Sequence, residues 1–160
     1  MRVNNVHERV LEVSAERAGA LLDTLASPHD ALWPGDRWPA MRFDRPLSVG
    51  AVGGHGPIRY TVEEYEPGRR VAFRFTGPRG FLGTHGFEVV PAAGGAILRH
   101  TLAMRTTGAA ILSWPLVFRP LHDALVEDSL ERAERSLGLE PKRTPWPRRV
   151  VLLRRLLRRR

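Results

Sequence analysis

"GPIRYTVEEYEPGRRVAFRFTG", Gly56 to Gly77, decides the fold. Ile58, Tyr60 and Val62 alternate with Arg59, Thr61 and Glu63. After the turn signal Glu66-Pro67-Gly68-Arg69, Val71, Phe73 and Phe75 alternate with Ala72 and Arg74. A period of two on either side of a Pro-Gly turn predicts a β-hairpin with one apolar and one charged face. The same alternation continues on both sides. From Met41 to Thr107 only short runs appear, "MRFDRPLSVG", "THGFEVVP" and "AILRHTLAMRTT" among them, divided by "AVGGHG", "GPRGFLG" and "AAGG". Such spacing predicts an antiparallel meander wet on one side. Phe87, Val89, Leu98, Leu102 and Met104 extend the apolar face, and Glu88, Arg99 and Arg105 the charged one. His100 has the parity of Leu98 and Leu102, which places an imidazole on the apolar face.

Helical patterns lie only at the two ends. "VHERVLEVSA" alternates as a strand and runs into Ser14, a plausible N-cap for "AERAGALLDTLAS" with Leu21, Leu22 and Leu25 as its apolar stripe. "PHDALWPGDRWP" is broken by proline and glycine yet holds Trp33 and Trp38, so it is expected to pack on apolar surface. Beyond Gly108, Trp114, Val117, Phe118, Leu121, Leu125, Leu130, Ala133 and Leu137 recur at helical spacing up to Gly138, with charges on the opposite side. Pro115 and Pro120 should delay or kink this helix, so that its regular part begins near Pro120.

Strand, helix, wide antiparallel sheet and long C-terminal helix make an α+β order. Through "VHERVLEVSAERAGALLDTL", the central hairpin and "HDALVEDSLERAERSL", the chain resembles the SRPBCC superfamily, which includes START domains, Bet v 1 allergens and polyketide cyclase/dehydrase-like proteins. The resemblance covers about Val3 to Gly138. It implies a helix-grip fold, a curved sheet wrapped around the last helix, with a cavity for a small apolar or amphipathic ligand between them. On that reading, parity assigns Trp33, Trp38, Met41, Tyr60, Phe73 and Phe75 to the cavity lining. Phe87, His100, Leu102, Met104, Phe118, His122 and Leu125 complete the set. Each is also a reasonable residue for a solid core.

The chemistry is narrow. There is no cysteine, hence no disulfide, thiolate nucleophile or Cys-ligated zinc. The histidines, His7, His29, His55, His85, His100 and His122, form no HxH, HxxxH or HExxH motif, so no metal and no cofactor is expected. "GGHGP" at 53–57 lacks the GK[ST] of a phosphate loop and reads as a turn or bulge, with His55 near the cavity mouth. His100 and His122 are the candidate acid–base groups of a cyclase or dehydratase. Asp123, next in sequence to His122, should point about 100° away on a helix and make a poor partner for it. The plainer alternative is a buried histidine bonded to a backbone carbonyl or to Tyr60.

Charge separates the chain into parts. Residues 1–138 are neutral, with sixteen basic and sixteen acidic side chains, whereas 139–160 carry nine basic residues against Glu140 alone, so the net +8 lies in the tail. "EPKRTPWPRR" is too rich in proline for regular helix, which makes 139–147 a linker. In 148–160, Val150, Leu152, Leu153, Leu156 and Leu157 share one side of a helical wheel, and Arg154, Arg155, Arg158 and Arg159 the other. With Arg148, Arg149 and Arg160, and with Trp146 as an interfacial anchor, this is a cationic amphipathic helix suited to an anionic membrane surface. Nucleic acid is the less fitting partner, because a phosphate-binding arm gains little from five aliphatics. Docking of the leucines on the body is a third possibility. The N-terminus lacks the apolar core and cleavage site of a signal peptide, so the expected location is cytoplasmic, peripheral at the inner membrane face.

Overall fold

The computed structural model describes residues 1–158; Arg159 and Arg160 of the predicted arm lie outside the described residues, and of Arg158 only its place in a helix is described. One antiparallel sheet of seven strands dominates, in the order β1-β7-β6-β5-β4-β3-β2. The strands are β1 (Arg2–Leu11), β2 (Arg42–Phe43), β3 (Val52–His55), β4 (Ile58–Glu66), β5 (Arg70–Gly77), β6 (Phe81–Ala92) and β7 (Gly95–Thr106). The helices are α1 (Ala15–Gly19), α2 (Ala110–Ser113), α3 (Arg119–Ser136) and α4 (Arg148–Arg158). Sheet and C-terminal helix are those of the helix-grip fold.

The central hairpin forms as its alternation requires. Val62 pairs with Phe73 and Tyr60 with Phe75 across β4 and β5, and Tyr60, Val62, Val71 and Phe73 are fully buried. On the outer face Arg99 of β7 bonds Glu88 of β6 at 2.9 Å and Glu8 of β1, so the charged rows of three strands become a cross-strand ladder.

Two elements depart from the sequence pattern, while the approach to the long helix is altered by its prolines as expected. The first helix is only five residues, capped by Ser14, whose hydroxyl accepts from the Arg17 amide at 3.4 Å. It ends at Gly19, where a Cβ would lie 1.9 Å from the Gly68 carbonyl oxygen, so the chain must pass the β4–β5 turn without a side chain. Leu21, Leu22 and Leu25 stay buried through a short 3-10 turn (Leu22–Thr24). "AVGGHG", expected as a turn, contains strand β3, in which a Cβ on Gly53 would meet the Arg42 carbonyl oxygen at 2.0 Å. The glycines permit close approach of backbones here. The prolines before the long helix convert its approach into α2 followed by a π-helical turn (Trp114–Phe118), and α3 begins at Arg119.

The charged side of α3 is the largest surprise. Asp128, Glu131 and Glu134 are buried, because three neighbours cover that face. Arg9 of β1, only 8% exposed, reaches Glu134 and Glu127 at 2.8 Å each. Arg37 bonds Asp128 at 2.8 Å. Segment 139–147, free of regular secondary structure, supplies the Lys142 amide to Glu134 at 2.9 Å and the Trp146 indole to Asp128 at 3.0 Å. On β1 the polar residues His7 and Arg9 consequently face the helix, while Val6 and Val10 face solvent.

Candidate functional site: an apolar cavity lined by neutral histidines

Between the inner face of the sheet and α3 lies a cavity of about 630 Å³, within the range that holds small organic ligands. Phe75, Phe81, Phe87 and Leu102 line it from the strands. Trp114, Val117, Phe118, Leu121 and Leu125 line it from the helical side, and Trp33, Trp38 and Met41 from the segment before β2. Tyr60, Phe73 and Met104, expected in the lining, do not reach it. Tyr60 and Phe73 pack against each other at 4.9 Å in the solid core, and Met104 joins Phe81, Leu102 and Trp114 in a second cluster. Inward parity is common to all of them, but the void occupies only part of the inner face.

Four histidines dominate the polar lining, joined by Ser129 and, where the 36–39 segment and α4 meet, by Asp36, Arg37 and Arg154. His100 is buried as its parity requires, and the register sets Phe87 opposite His100 and His85 opposite Leu102 on β6 and β7. The two imidazoles therefore stand diagonally, 5.8 Å apart. His122 approaches from α3 to 5.1 Å from His100. His55 enters beside the β3–β4 turn, 4.6 Å from the Trp33 ring. His85 was overlooked in the sequence although its i, i+2 spacing to Phe87 and Val89 marks it as inward. Burial drives all four pKa values down: His55 to about 3, His85 and His100 well below the imidazole range, and His122 less, because Asp123 opposes the shift. These rings are neutral at pH 7. His85 Nε2, His100 Nδ1, His122 Nε2 and the Tyr60 hydroxyl have no hydrogen-bond partner among the described residues, which excludes the His100–Tyr60 bond considered above.

Behind His122 sits a charged cluster. Asp123 does not point away from it: Oδ1 lies 3.4 Å from His122 Nδ1, 3.3 Å from His7 Nε2, and accepts from Asn5 Nδ2 at 3.1 Å. The other nitrogen of His7, Nδ1, is 2.7 Å from Glu127 Oε1. Hydrogen bonds to Asp123 and then Glu127 push the His7 pKa up to about 9. Burial works against the Asp123 carboxylate, yet its bonds from His122 and His7 hold it well below the usual carboxylate range. His7, His122 and Asp123 bring three metal-ligating atoms within 4.8 Å, but the short contacts of His7 are those of an imidazolium between two carboxylates.

A group with a raised folded pKa adds stability that is full below its unfolded value and disappears as pH rises through the folded one. The unfolding free energy, read from urea titrations, is therefore expected to fall between about pH 6.5 and pH 9, by on the order of 2 kcal/mol for this half-buried group. His7→Gln should abolish that slope, and an unchanged slope in the variant would contradict the assignment.

A curved antiparallel sheet gripping a helix over an apolar cavity defines a ligand-holding class of the helix-grip fold. The chain belongs to the polyketide cyclase / dehydrase and lipid transport family, whose model matches residues 6–138. Solved structures share the architecture at low identity. The KanY protein is 12% identical with a TM-score of 0.64, the match covering 86% of this chain and 99% of that one. Ara h 8.0201 is 12% identical with a TM-score of 0.57, covering 86% and 97%. The di-domain ARO/CYC StfQ from the steffimycin biosynthetic pathway is 12% identical with a TM-score of 0.64; the match covers 86% of this chain and 51% of StfQ. At such identities the likeness is one of fold. No curated protein matches this chain. Family and fold together support a ligand-binding or polyketide-cyclase role.

Proposed function

We propose that the protein binds a small, uncharged, largely apolar molecule carrying one or two hydroxyl or carbonyl groups, such as a lipid or a polyketide-like ring system. The observation that carries this is the set of unpartnered nitrogens of His85, His100 and His122 around an otherwise apolar void. A buried polar atom without a partner costs roughly 1–3 kcal/mol, and a ligand oxygen in the cavity would relieve that cost. Neutral imidazoles donate or accept, so they suit hydroxyls and carbonyls. The basic arm, on this account, brings the cavity to an anionic membrane surface.

The neutral probe N-phenylnaphthylamine should bind the full-length protein with enhanced fluorescence. Leu125→Trp, which puts an indole into the void, should weaken that binding by about tenfold or more, the loss expected when a pocket is filled. Equal binding by both proteins would sink the proposal.

A second reading has its own observation. His122 is oriented by Asp123 through Nδ1 and leaves Nε2 without a partner among the described residues, the arrangement of a general base and its orienting carboxylate. In a cyclase or dehydratase, Nε2 would take a proton beside a substrate carbonyl. His122→Gln should then remove turnover of a bound polyketide by about 10²-fold or more while leaving binding in place. Loss of binding alone would assign His122 to recognition.

A further inference from the structure

The cavity has a mouth, and the basic arm stands at it. Of the lining residues, Asp36, Pro39, Gly56, Pro57 and Leu157 are exposed, so the opening lies between the 36–39 segment, the β3–β4 turn and α4. The arm is held there by a small, specific latch. Val150 is buried against the body, the Arg154 guanidinium lies 4.2 Å from the ring centres of both Trp38 and Trp146, and it also bonds the Arg37 carbonyl. Trp146 and Arg154, placed by the helical pattern at a membrane surface, thus turn inward in this structure. Arg154 and Leu157 form part of the cavity wall.

The docking is incomplete on the apolar side. Val150, Leu153 and Arg154 fall on the body-facing arc of α4 and Leu157 touches the cavity mouth while still 54% exposed, whereas Leu152 and Leu156 project into solvent, 58% and 54% exposed, beside exposed Arg148, Arg149 and Arg155. A second exposed apolar group, Ile111, Leu112 and Leu116, sits on the helical turns whose Trp114, Val117 and Phe118 line the same cavity. Exposed leucines interleaved with arginines, in a segment with nine basic residues and one acid, match the chemistry of an anionic lipid surface. Each arginine brought to such a surface strengthens binding about fivefold, so several together compete readily with one buried valine and one cation–π latch. At about 16 Å long, α4 is suited to lie in the interface. Among the described residues no helix is long and apolar enough to cross a membrane.

We propose that α4 is a lid on the cavity mouth which an anionic lipid surface draws off, so that the cavity opens where the protein meets such a surface. This rests on the ligand-cavity reading and adds to it the place of exchange. In bulk solution Arg154 stays packed against the two indoles and the mouth is narrowed. At the surface the arginines face lipid phosphates, Leu153 and Leu157 join Leu152 and Leu156 in the acyl region, and the wall they formed is gone.

The chain has no cysteine, so Ser129→Cys in the full-length protein places a single thiol in the cavity wall beside Asp128. Its rate of modification by N-ethylmaleimide, read by mass spectrometry, should be slow in buffer. It should rise about tenfold with vesicles of phosphatidylcholine and phosphatidylglycerol, a one-decade shift in the closed-to-open ratio. Phosphatidylcholine vesicles alone should have no effect, and high salt should reverse the rise. Arg154→Ala in the same background should raise the rate without vesicles at an unchanged thermal midpoint, and Leu152→Glu with Leu156→Glu should keep the slow rate but lose the vesicle response. Vesicle binding with no change in rate would overturn the lid. So would a failure to bind vesicles coupled with steep salt-dependent binding to duplex DNA, which would make the arm a nucleic-acid element. The assay reads a thiol and needs no ligand, so a flat response counts against the lid and leaves probe binding to decide the cavity's role.

Discussion

Titrated from about pH 7.5 to about pH 5, the protein is expected to lose a large share of its stability, because its cavity keeps histidines neutral that the unfolded chain would protonate. The sign follows from the depressed pKa values. Such groups contribute stability that is complete above the unfolded value of about 6.5 and is lost as pH falls towards the folded one. His55, His85 and His100 are each pushed far down by burial, with no carboxylate beside them to oppose it. Each adds about 1.4 kcal/mol per pH unit, so the three together remove about 4 kcal/mol for each unit below 6.5. Domains of this size are stable by about 5–15 kcal/mol, so the roughly 6 kcal/mol removed by pH 5 is a large share of the total, partly offset by protonation of His7. His122 adds less, since Asp123 favours its protonated form. Urea midpoints measured by circular dichroism across this range would show the slope, and His100→Leu should reduce it by about a third. A midpoint independent of pH from 7 to 5 would mean that the rings are not held neutral.

The second large effect is at Arg9. Arg9→Met is expected to cost about 3–5 kcal/mol, the penalty for leaving buried acidic partners without their cation. Its guanidinium holds Glu134 at 2.8 Å and Glu127 at 2.8 Å, and donates to the Lys142 carbonyl at 3.1 Å. Glu134 is at least as buried as Arg9. Removing the arginine strands that carboxylate and loosens the start of the 139–147 segment, and with it the seat of α4. The paired substitution Arg9→Met with Glu134→Met should recover a large part of the loss, because the pair as a whole is replaced by apolar volume. A loss below about 1 kcal/mol in the single variant would show the network to be solvated like a surface ion pair.

The sheet was legible in the sequence because period-two alternation survives from Ile58 to Met104, and the outer ladder of Glu8, Glu88 and Arg99 appears where that period places it. His100 was found by the same rule, and His85 should have been. What alternation cannot tell is which inward residues meet empty space. Tyr60 and Phe73 share their parity with Phe75, yet only Phe75 faces the cavity, stacked at 4.6 Å on His85. That distinction depends on how the sheet curves past α3.

The charged face of α3 misled for a related reason. A helical wheel marks Asp128 and Glu134 as outward, but their cover comes from Arg9, Arg37, Trp38 and Trp146, residues up to 125 positions away in the chain. The same holds for the arm. An amphipathic pattern states that one side of a helix seeks apolar surroundings, and lipid or protein satisfies it equally. The side chain that breaks the symmetry is Arg154, read from the pattern as part of the polar face and found packed against two indoles.

The central claim is that the cavity holds a small neutral molecule hydrogen-bonded by its histidines. Native mass spectrometry of the gently purified full-length protein, with organic extraction of whatever is bound, tests it most directly. The account predicts a discrete added mass, released into the organic phase as a neutral compound with hydroxyl or carbonyl groups and lost in the Leu125→Trp variant. A bare protein mass, together with no binding of N-phenylnaphthylamine, would contradict it.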